Sequence, residues 1–302
     1  MDELRFDGKA VIVTGAGRGV GRAHALLLAS RGARVVVADY GVNDGGGGSS
    51  SGPADDVTRE IKDAGGDAVA CYADVSDEAG AASIVQTCVE HFGGVDVLIN
   101  NAGIARPDWF DDEDNAKFRL MADIHYLGTV YVAKAAWPHL KASDAARLVN
   151  TTSEGMLGTV PKNSSYAGAK GAVLGFTRAL AVDGARDGIG VNAVLPRADT
   201  RMAAADVLAH VYDAPADMFQ DMSAIDPVRV SPAVVYLAHE SCTLQGELLV
   251  SGGGYVLRLA LVEAQGIHDE NVTPEMVAEN IDKVLDITDG QLMNAGVSIP
   301  AP

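Results

Sequence analysis

The run from Lys9 to Thr14 (KAVIVT), together with the glycine-rich turn after it, restricts the possible folds more than any other stretch of the chain. It is short, β-branched and apolar without alternation, which reads as a strand buried on both faces, as in a parallel sheet. The chain then passes straight into Gly15, Ala16, Gly17, Arg18, Gly19, Val20 and Gly21, and on into a helical pattern carrying Ala25, Leu26, Leu27 and Leu28. In that order, strand, glycine turn and helix N-terminus aim backbone N–H groups and the positive end of a helix dipole at one point, where an anion such as a pyrophosphate can sit. The spacing is G-x-x-x-G-x-G rather than the commoner G-x-G-x-x-G, and glycine turns also arise for steric reasons alone. The turn therefore needs support from the rest of the chain.

Bulk properties narrow the partners. The 302 residues carry a formal net charge of −18, which repels nucleic acid and an anionic membrane surface, so any anionic ligand must be met by local charges or backbone dipoles. Cys71, Cys88 and Cys242 are odd in number and far apart, and predict neither a disulfide framework nor a metal site. No basic leader precedes an apolar core, no apolar run approaches the roughly 18 residues that span a bilayer, and the final SIPAP is no peroxisomal address. A cytoplasmic protein is expected.

Further strands are expected at Arg34 to Ala38, Asp67 to Ala73, Val95 to Asn100, Arg147 to Thr152, Ile189 to Leu195 and Gly246 to Ser251, with helical patterns between them. Each delivers polar or small residues at its carboxyl end, the edge where open α/β sheets bind ligands. Asp39 ends the second strand, 24 residues beyond Gly15, where a carboxylate accepts hydrogen bonds from ribose hydroxyls and repels a 2′-phosphate, favouring NAD over NADP. Asp74 and Val75 end the third; the aspartate can bond an adenine amino group or cap the next helix. Asn101, Ala102 and Gly103 come after the fourth, small enough for a nucleotide to lie against the backbone. Pro196 ends the sixth, and Thr200 beyond it can meet a nicotinamide carboxamide. Between Gly41 and Gly52 a glycine- and serine-rich stretch reads as a surface loop.

Chemistry enters with Tyr166 and Lys170, four residues apart where a helical pattern begins and therefore on one helix face. A phenol has a pKa of about 10, but a cation about 4 Å away at an effective dielectric near 20 favours the phenolate by roughly 4 kcal/mol. That brings a tyrosine into the range of general acid–base work. Ser153, 13 residues upstream at the carboxyl end of the fifth strand, can donate its hydroxyl to a carbonyl oxygen or cap a turn. His125 lies on the helical stretch from about Asn115 to Leu140; a lone helix histidine is more often a satisfied structural residue than a catalyst. From Arg201 to about Val230, scattered Met202, Val207, Leu208, Met218, Phe219, Met222 and Ile225 read as a lid over a hydrophobic substrate. Thr273, Pro274 and Glu275 start a helix to about Asp286.

TGAGRGVG (Thr14 to Gly21), Asp39, Asp74-Val75, NNAG (Asn100 to Gly103), Ser153, Tyr166-x-x-x-Lys170 and Pro196 with Thr200 together resemble the short-chain dehydrogenase/reductase family over about residues 6 to 256. The resemblance implies a doubly wound, Rossmann-type three-layer α/β sandwich whose seven-stranded parallel sheet has the order 3-2-1-4-5-6-7. The domain would occupy residues 1–256, with 257–302 as a helical extension of it, in a homodimer or homotetramer. It implies NAD as cofactor, with Gly15, Arg18, Gly19, Val20, Asp39, Asp74, Val75, Asn101, Ala102, Gly103, Tyr166, Lys170, Pro196 and Thr200 about it. Tyr166 would give and take the proton, Ser153 hold the substrate oxygen, and Lys170 hold the nicotinamide ribose. Two positions depart from the family pattern: His125 stands where an asparagine is usual, and Arg197 comes after Pro196 in place of glycine. Both, with the glycine-rich insertion, His239 to Cys242 and the VTPEMVAEN stretch, resemble the (3R)-hydroxyacyl-CoA dehydrogenase units of multifunctional β-oxidation enzymes. The substrate expected is then a hydrophobic alcohol or ketone, a 3-hydroxyacyl-CoA thioester first, a steroid or alicyclic alcohol second. Basic residues such as Arg106, Lys162, Arg197 and Arg201 at the pocket mouth would favour the thioester, because a CoA phosphate needs them and a steroid does not. A non-catalytic NAD sensor is the reading from another class.

Overall fold

The β-branched runs become the strands of one sheet in the computed structural model, which describes residues 3–42, 47–198, 204–219 and 225–294. These strands are β1 (Ala10–Thr14), β2 (Arg34–Ala38), β3 (Asp67–Cys71), β4 (Val97–Asn100), β5 (Arg147–Thr151), β6 (Gly190–Pro196) and β7 (Leu248–Gly252), joined by β8 (Tyr255–Leu259). Their order is β3-β2-β1-β4-β5-β6-β7-β8, parallel through β7. Parallel neighbours need long crossovers, and the helices α1 (Gly19–Ser30), α2 (Gly52–Asp63), α3 (Glu78–Phe92), α4 (Asn115–Met121), α5 (Gly128–Leu140), α6 (Ser164–Asp187), α7 (Ala205–Tyr212) and α8 (Ser231–Ala238) lie along those crossovers.

Both faces of the sheet are covered, which is why β1, β4 and β5 are buried along their whole length, β1 and β4 as largely apolar runs and β5 with Arg147, Asn150 and Thr151 buried in it. Alternation along β1 divides the core. Val11 and Val13 join Leu28 of α1, Val57 and Ile61 of α2 and Val234 of α8 on one side. Ile12 joins Ile84 of α3, Val132 and Leu140 of α5 and Ala181 of α6 on the other. The register Val11↔Val35 and Val11↔Val97 aligns the carboxyl ends of the three central strands, so the turns after β1, β2 and β4 open on one edge.

The sheet has an eighth strand, not seven, and that strand is antiparallel. The reason lies in three glycines: Gly253 (φ 59°) and Gly254 (φ 86°) form a two-residue hairpin loop with positive φ at both positions, after Gly252 (φ 145°). The chain therefore turns back along β7 where the sequence reads as leaving the sheet. Two further stretches differ in detail. The helical run from Asn115 to Leu140 is broken by a π-helical turn, Ala122–Leu127. The later helix is two short ones, α9 (Pro274–Glu279) and α10 (Ile281–Leu285), started by Thr273, whose hydroxyl accepts from the Met276 N–H at 3.2 Å. A small antiparallel pair, β9 (Val262–Glu263) and β10 (Gln291–Leu292), flanks them.

Candidate active site

The turn after β1 is shaped by contacts that only glycine permits. Gly15 has φ 64°, and a Cβ there would lie 2.8 Å from the Ala102 Cα; a Cβ at Gly21 would lie 2.1 Å from the Gly15 carbonyl oxygen. Asn101 stitches the turns after β1 and β4 together, its side-chain amide donating to the carbonyls of Thr14 (3.0 Å) and Gly15 (3.2 Å). The Thr14 hydroxyl accepts from the N–H groups of Asn101 and Ala102, at 3.0 and 3.1 Å. Thr14 is thus a site-building residue that its place at the end of an apolar run conceals.

Where α1 begins, its N-cap residue Arg18 is extended and gives no side-chain acceptor to the first turn. Those N–H groups face the cleft lined by Gly15, Arg18, Gly19 and Val20, the geometry of an anion site. Asp39 closes one side. Its carboxylate accepts from the N–H of Gly17 and of Gly41, each at 2.7 Å, and the residue lines the cleft. Asp74, Val75, Ala102 and Gly103 line it as well, and Asp74 is held by the N–H and hydroxyl of Ser76 at 2.9 and 2.7 Å. The cap of α3 is Asp77, which accepts from Gly80 N–H at 2.7 Å, so Asp74 is left to the cleft. An uncapped helix N-terminus beside a carboxylate fits a dinucleotide with a free 2′-hydroxyl. Pro196 lines the same cleft; Thr200 lies outside the described residues.

Ser153, Tyr166 and Lys170 meet at the far end of this cleft, whose volume is about 800 Å³. Ser153 caps the turn after β5, accepting from Gly155 N–H at 3.1 Å, and also shares a hydrogen bond with the Tyr166 hydroxyl. Of its two expected roles, the capping one is seen here. Lys170 is buried, 5.8 Å from the Tyr166 ring centroid, and donates to the Thr151 carbonyl at 2.7 Å. Burial pushes its pKa down to about 7. Burial also raises the Tyr166 phenol above its ordinary value, against the opposing bond from Ser153. Desolvation therefore outweighs the bond from Ser153 in the protein alone, while Lys170 is itself desolvated and bonded to Thr151.

His125 packs edge-on against the Tyr166 ring, with centroids 5.1 Å apart, and is fully buried in the π-helical turn. Its Nε2 lies 2.8 Å from the Ile104 carbonyl and 3.3 Å from the Ile104 N–H, and the shorter contact favours a proton on Nε2. Nδ1 is buried without a partner. Burial and then the Lys170 charge hold this imidazole well below its ordinary pKa. A Cβ on Gly103 would lie 2.5 Å from the ring, so the small residue after β4 makes room for histidine as well as for a ligand.

Of the basic residues that a CoA phosphate would need, those among the described residues do not gather at the mouth. Arg197 is paired with Glu154 at 2.6 and 2.7 Å, Lys162 is turned inward, Arg106 is absent from the cleft wall, and Arg201 lies outside the described residues. The cleft is instead walled by Leu120, Ile124 and Val160 and, from α7, by Val207, Leu208, Val211 and Tyr212 with Asp206 and His210. Of the other residues expected in a lid, Phe219 is buried and Met218 is exposed, while Met202 and Met222 lie outside the described residues. Among the described residues no group of three or more His, Cys, Asp or Glu is placed to hold a metal, and no helix is long and apolar enough to cross a membrane.

A doubly wound sheet with an uncapped helix N-terminus after β1, a carboxylate lining the cleft after β2 and a Ser–Tyr–Lys set in that cleft is the arrangement of a nucleotide-dependent oxidoreductase. The family model for short chain dehydrogenases matches residues 9–208, and the chain belongs to this family. A peroxisomal multifunctional enzyme type 2 of Drosophila melanogaster is 35% identical over 299 residues, covering 97% of this chain and 48% of that protein. The chain thus spans about half the length of that relative. A short chain dehydrogenase from Mycobacterium avium has a similar structure (TM-score 0.75, 33% identity), with 93% of this chain and 97% of that one covered. So does a carveol dehydrogenase of the same organism in complex with NAD (TM-score 0.75, 29% identity), with 82% of this chain and 97% of that one covered.

Proposed function

We propose that the protein is an NAD-dependent dehydrogenase that interconverts a secondary alcohol and a ketone on a hydrophobic substrate. The observation that carries this is the meeting of Ser153, Tyr166 and Lys170 at the end of a cleft whose other end is an uncapped helix N-terminus beside Asp39. NAD, when bound, supplies the hydride acceptor or, reduced, the donor. The protein's own groups then handle the substrate oxygen and its proton. Ser153 donates to that oxygen, and Tyr166, protonated at neutral pH because its phenol is raised, delivers the proton to a ketone. Alcohol oxidation needs the phenolate instead. Lys170, fixed by Thr151, is placed to hold a ribose hydroxyl and to carry part of the compensating charge. His125 stays neutral and offers Nδ1 as an acceptor behind Tyr166.

The leading substrate class is a 3-hydroxyacyl-CoA thioester, supported by similarity along nearly the whole chain to a peroxisomal multifunctional enzyme. One observation favours a second reading, a compact alicyclic or steroid alcohol. The described wall beside α7 carries Val207, Leu208, Val211 and Tyr212 along with Asp206 and His210, and two of the cations expected at its mouth for a CoA phosphate are engaged elsewhere, Arg197 by Glu154 and Lys162 by Asp213. Three buried free cysteines support a reducing compartment such as the cytoplasm. The experiment is NADH formation by the purified full chain against 3-hydroxyacyl-CoA thioesters, hydroxysteroids and alicyclic alcohols. Turnover of the thioesters supports the leading reading, turnover of the others alone supports the second, and NAD binding without turnover of any leaves a nucleotide sensor.

A further inference from the structure

Lys162 stands four residues ahead of Tyr166. Among the described residues, it and Asp213 are the two non-glycine positions with left-handed backbone, at φ 55° and φ 50°. A residue with a side chain stays in that region when its surroundings hold it there. These two hold each other, since the Lys162 ammonium is ion-paired with the Asp213 carboxylate.

The same ammonium donates to the His210 carbonyl at 2.6 Å. Asp213 is the C-terminal cap of α7, so Lys162 takes a carbonyl of the last helical turn and the carboxylate just past it, at the negative end of the helix dipole. Behind the ammonium lies the Trp109 ring, 5.2 Å away to its centroid, and the Lys162 carbonyl accepts from Asp108 N–H at 2.8 Å. A parallel bond joins His210 Nε2 to the Pro107 carbonyl at 3.2 Å. One buried cation thus joins the lid helix, the 107–109 loop and the segment that enters the catalytic helix α6. The helix so fastened presents Leu208, Val211 and Tyr212 to the substrate end of the cleft.

The burial of the pair is unequal: the Lys162 side chain is 4% exposed and that of Asp213 is 65% exposed. The lysine belongs to the body of the domain, and the aspartate is the partner that solvent can reach. We propose that Lys162 and Asp213 form a latch that seats α7 over the substrate end of the cleft, with Lys162 a positioning residue for the lid. This rests on the reading of the cleft as a dehydrogenase site. Release separates the charges and frees Asp213 from its left-handed conformation together, so the seated and released lid are two discrete states.

Asp213→Asn tests the latch with little risk to folding, because the side chain is largely exposed and asparagine tolerates left-handed backbone. Lys162→Met removes the charge while keeping an apolar stem against Trp109. In both variants we expect faster amide hydrogen exchange across residues 205–212 and, for a substrate turned over by the wild type, a roughly tenfold rise in KM with kcat within about twofold. NAD affinity should be unchanged, and the double variant should be no worse than either single one, as for two ends of one contact. Unchanged exchange in α7, additive effects in the double variant, or an equal loss of NAD affinity would overturn the latch. The exchange measurement needs no substrate, so it decides the latch even if no alcohol is turned over and the dehydrogenase reading fails.

Discussion

Asp39 serves two ends with one carboxylate. Its oxygens hold the N–H groups of Gly17 and Gly41, and the residue also lines the cleft, where we propose that it meets a ribose. Replacing it with serine removes both the charge that repels a 2′-phosphate and a strong acceptor for ribose hydroxyls. The expected result for Asp39→Ser is a fall of roughly tenfold to a hundredfold in NAD affinity, with NADP binding appearing, measured as the two dissociation constants. At Tyr166 the balance of burial over hydrogen bonding sets the pH dependence. The raised phenol must ionise before an alcohol can be oxidised, so kcat/KM for oxidation should still be climbing at about pH 9, whereas ketone reduction should be level near neutrality. An oxidation profile already flat from about pH 7 would show the lysine's attraction winning over burial.

At the scale of elements, the turn after β1 is the part least tolerant of change. Gly15→Ala would combine a strained φ of 64° with a Cβ 2.8 Å from the Ala102 backbone. The two cannot both be relieved without separating the turns after β1 and β4. We expect a loss of about 1–3 kcal/mol in unfolding free energy and of most NAD affinity, read by denaturant titration and by calorimetry. Sequence made this region legible because its causes are local: a β-branched run, glycines where Cβ atoms cannot fit, and a helix four-residue spacing that brings Tyr166 and Lys170 together. What it concealed depends on distant partners. Lys162 looks like a free surface cation until α7 folds 51 positions away and takes it inward, and Arg197 is likewise claimed by Glu154. The capping of α3 by Asp77, and not Asp74, turned on a local backbone geometry that composition does not encode. The eighth strand was signalled by Gly252 to Gly254, whose run also reads as a loop ending the sheet.

Over the whole molecule, the two buried histidines His24 and His125 are expected to make stability fall with acid. His24 is fully buried between α1 and α8, with Nδ1 2.8 Å from the Ser231 hydroxyl, and desolvation pushes its pKa down to about 3. Unfolding returns it to about 6.5, so between about pH 6.5 and 3 the unfolded chain binds the additional proton and stability falls as pH falls. His125, lowered by burial, acts in the same direction. Lys170, with a pKa of about 7 against about 10.5 unfolded, gives the same slope over the range above neutrality. His24→Gln should therefore flatten the acid limb by up to about 1.4 kcal/mol for each pH step of one, seen in thermal midpoints across about pH 4 to 6.5. An unchanged acid limb would show that His24 is not held neutral.

The central claim, that Tyr166 moves the proton in a cleft that binds NAD independently of it, is tested most directly by one comparison. Turnover and NAD affinity are measured side by side for the intact chain and its Tyr166→Phe variant, on whichever alcohol the wild type oxidises fastest. Proton transfer by Tyr166 predicts loss of turnover by at least about a hundredfold with NAD affinity nearly unchanged. Full activity in the variant would contradict it.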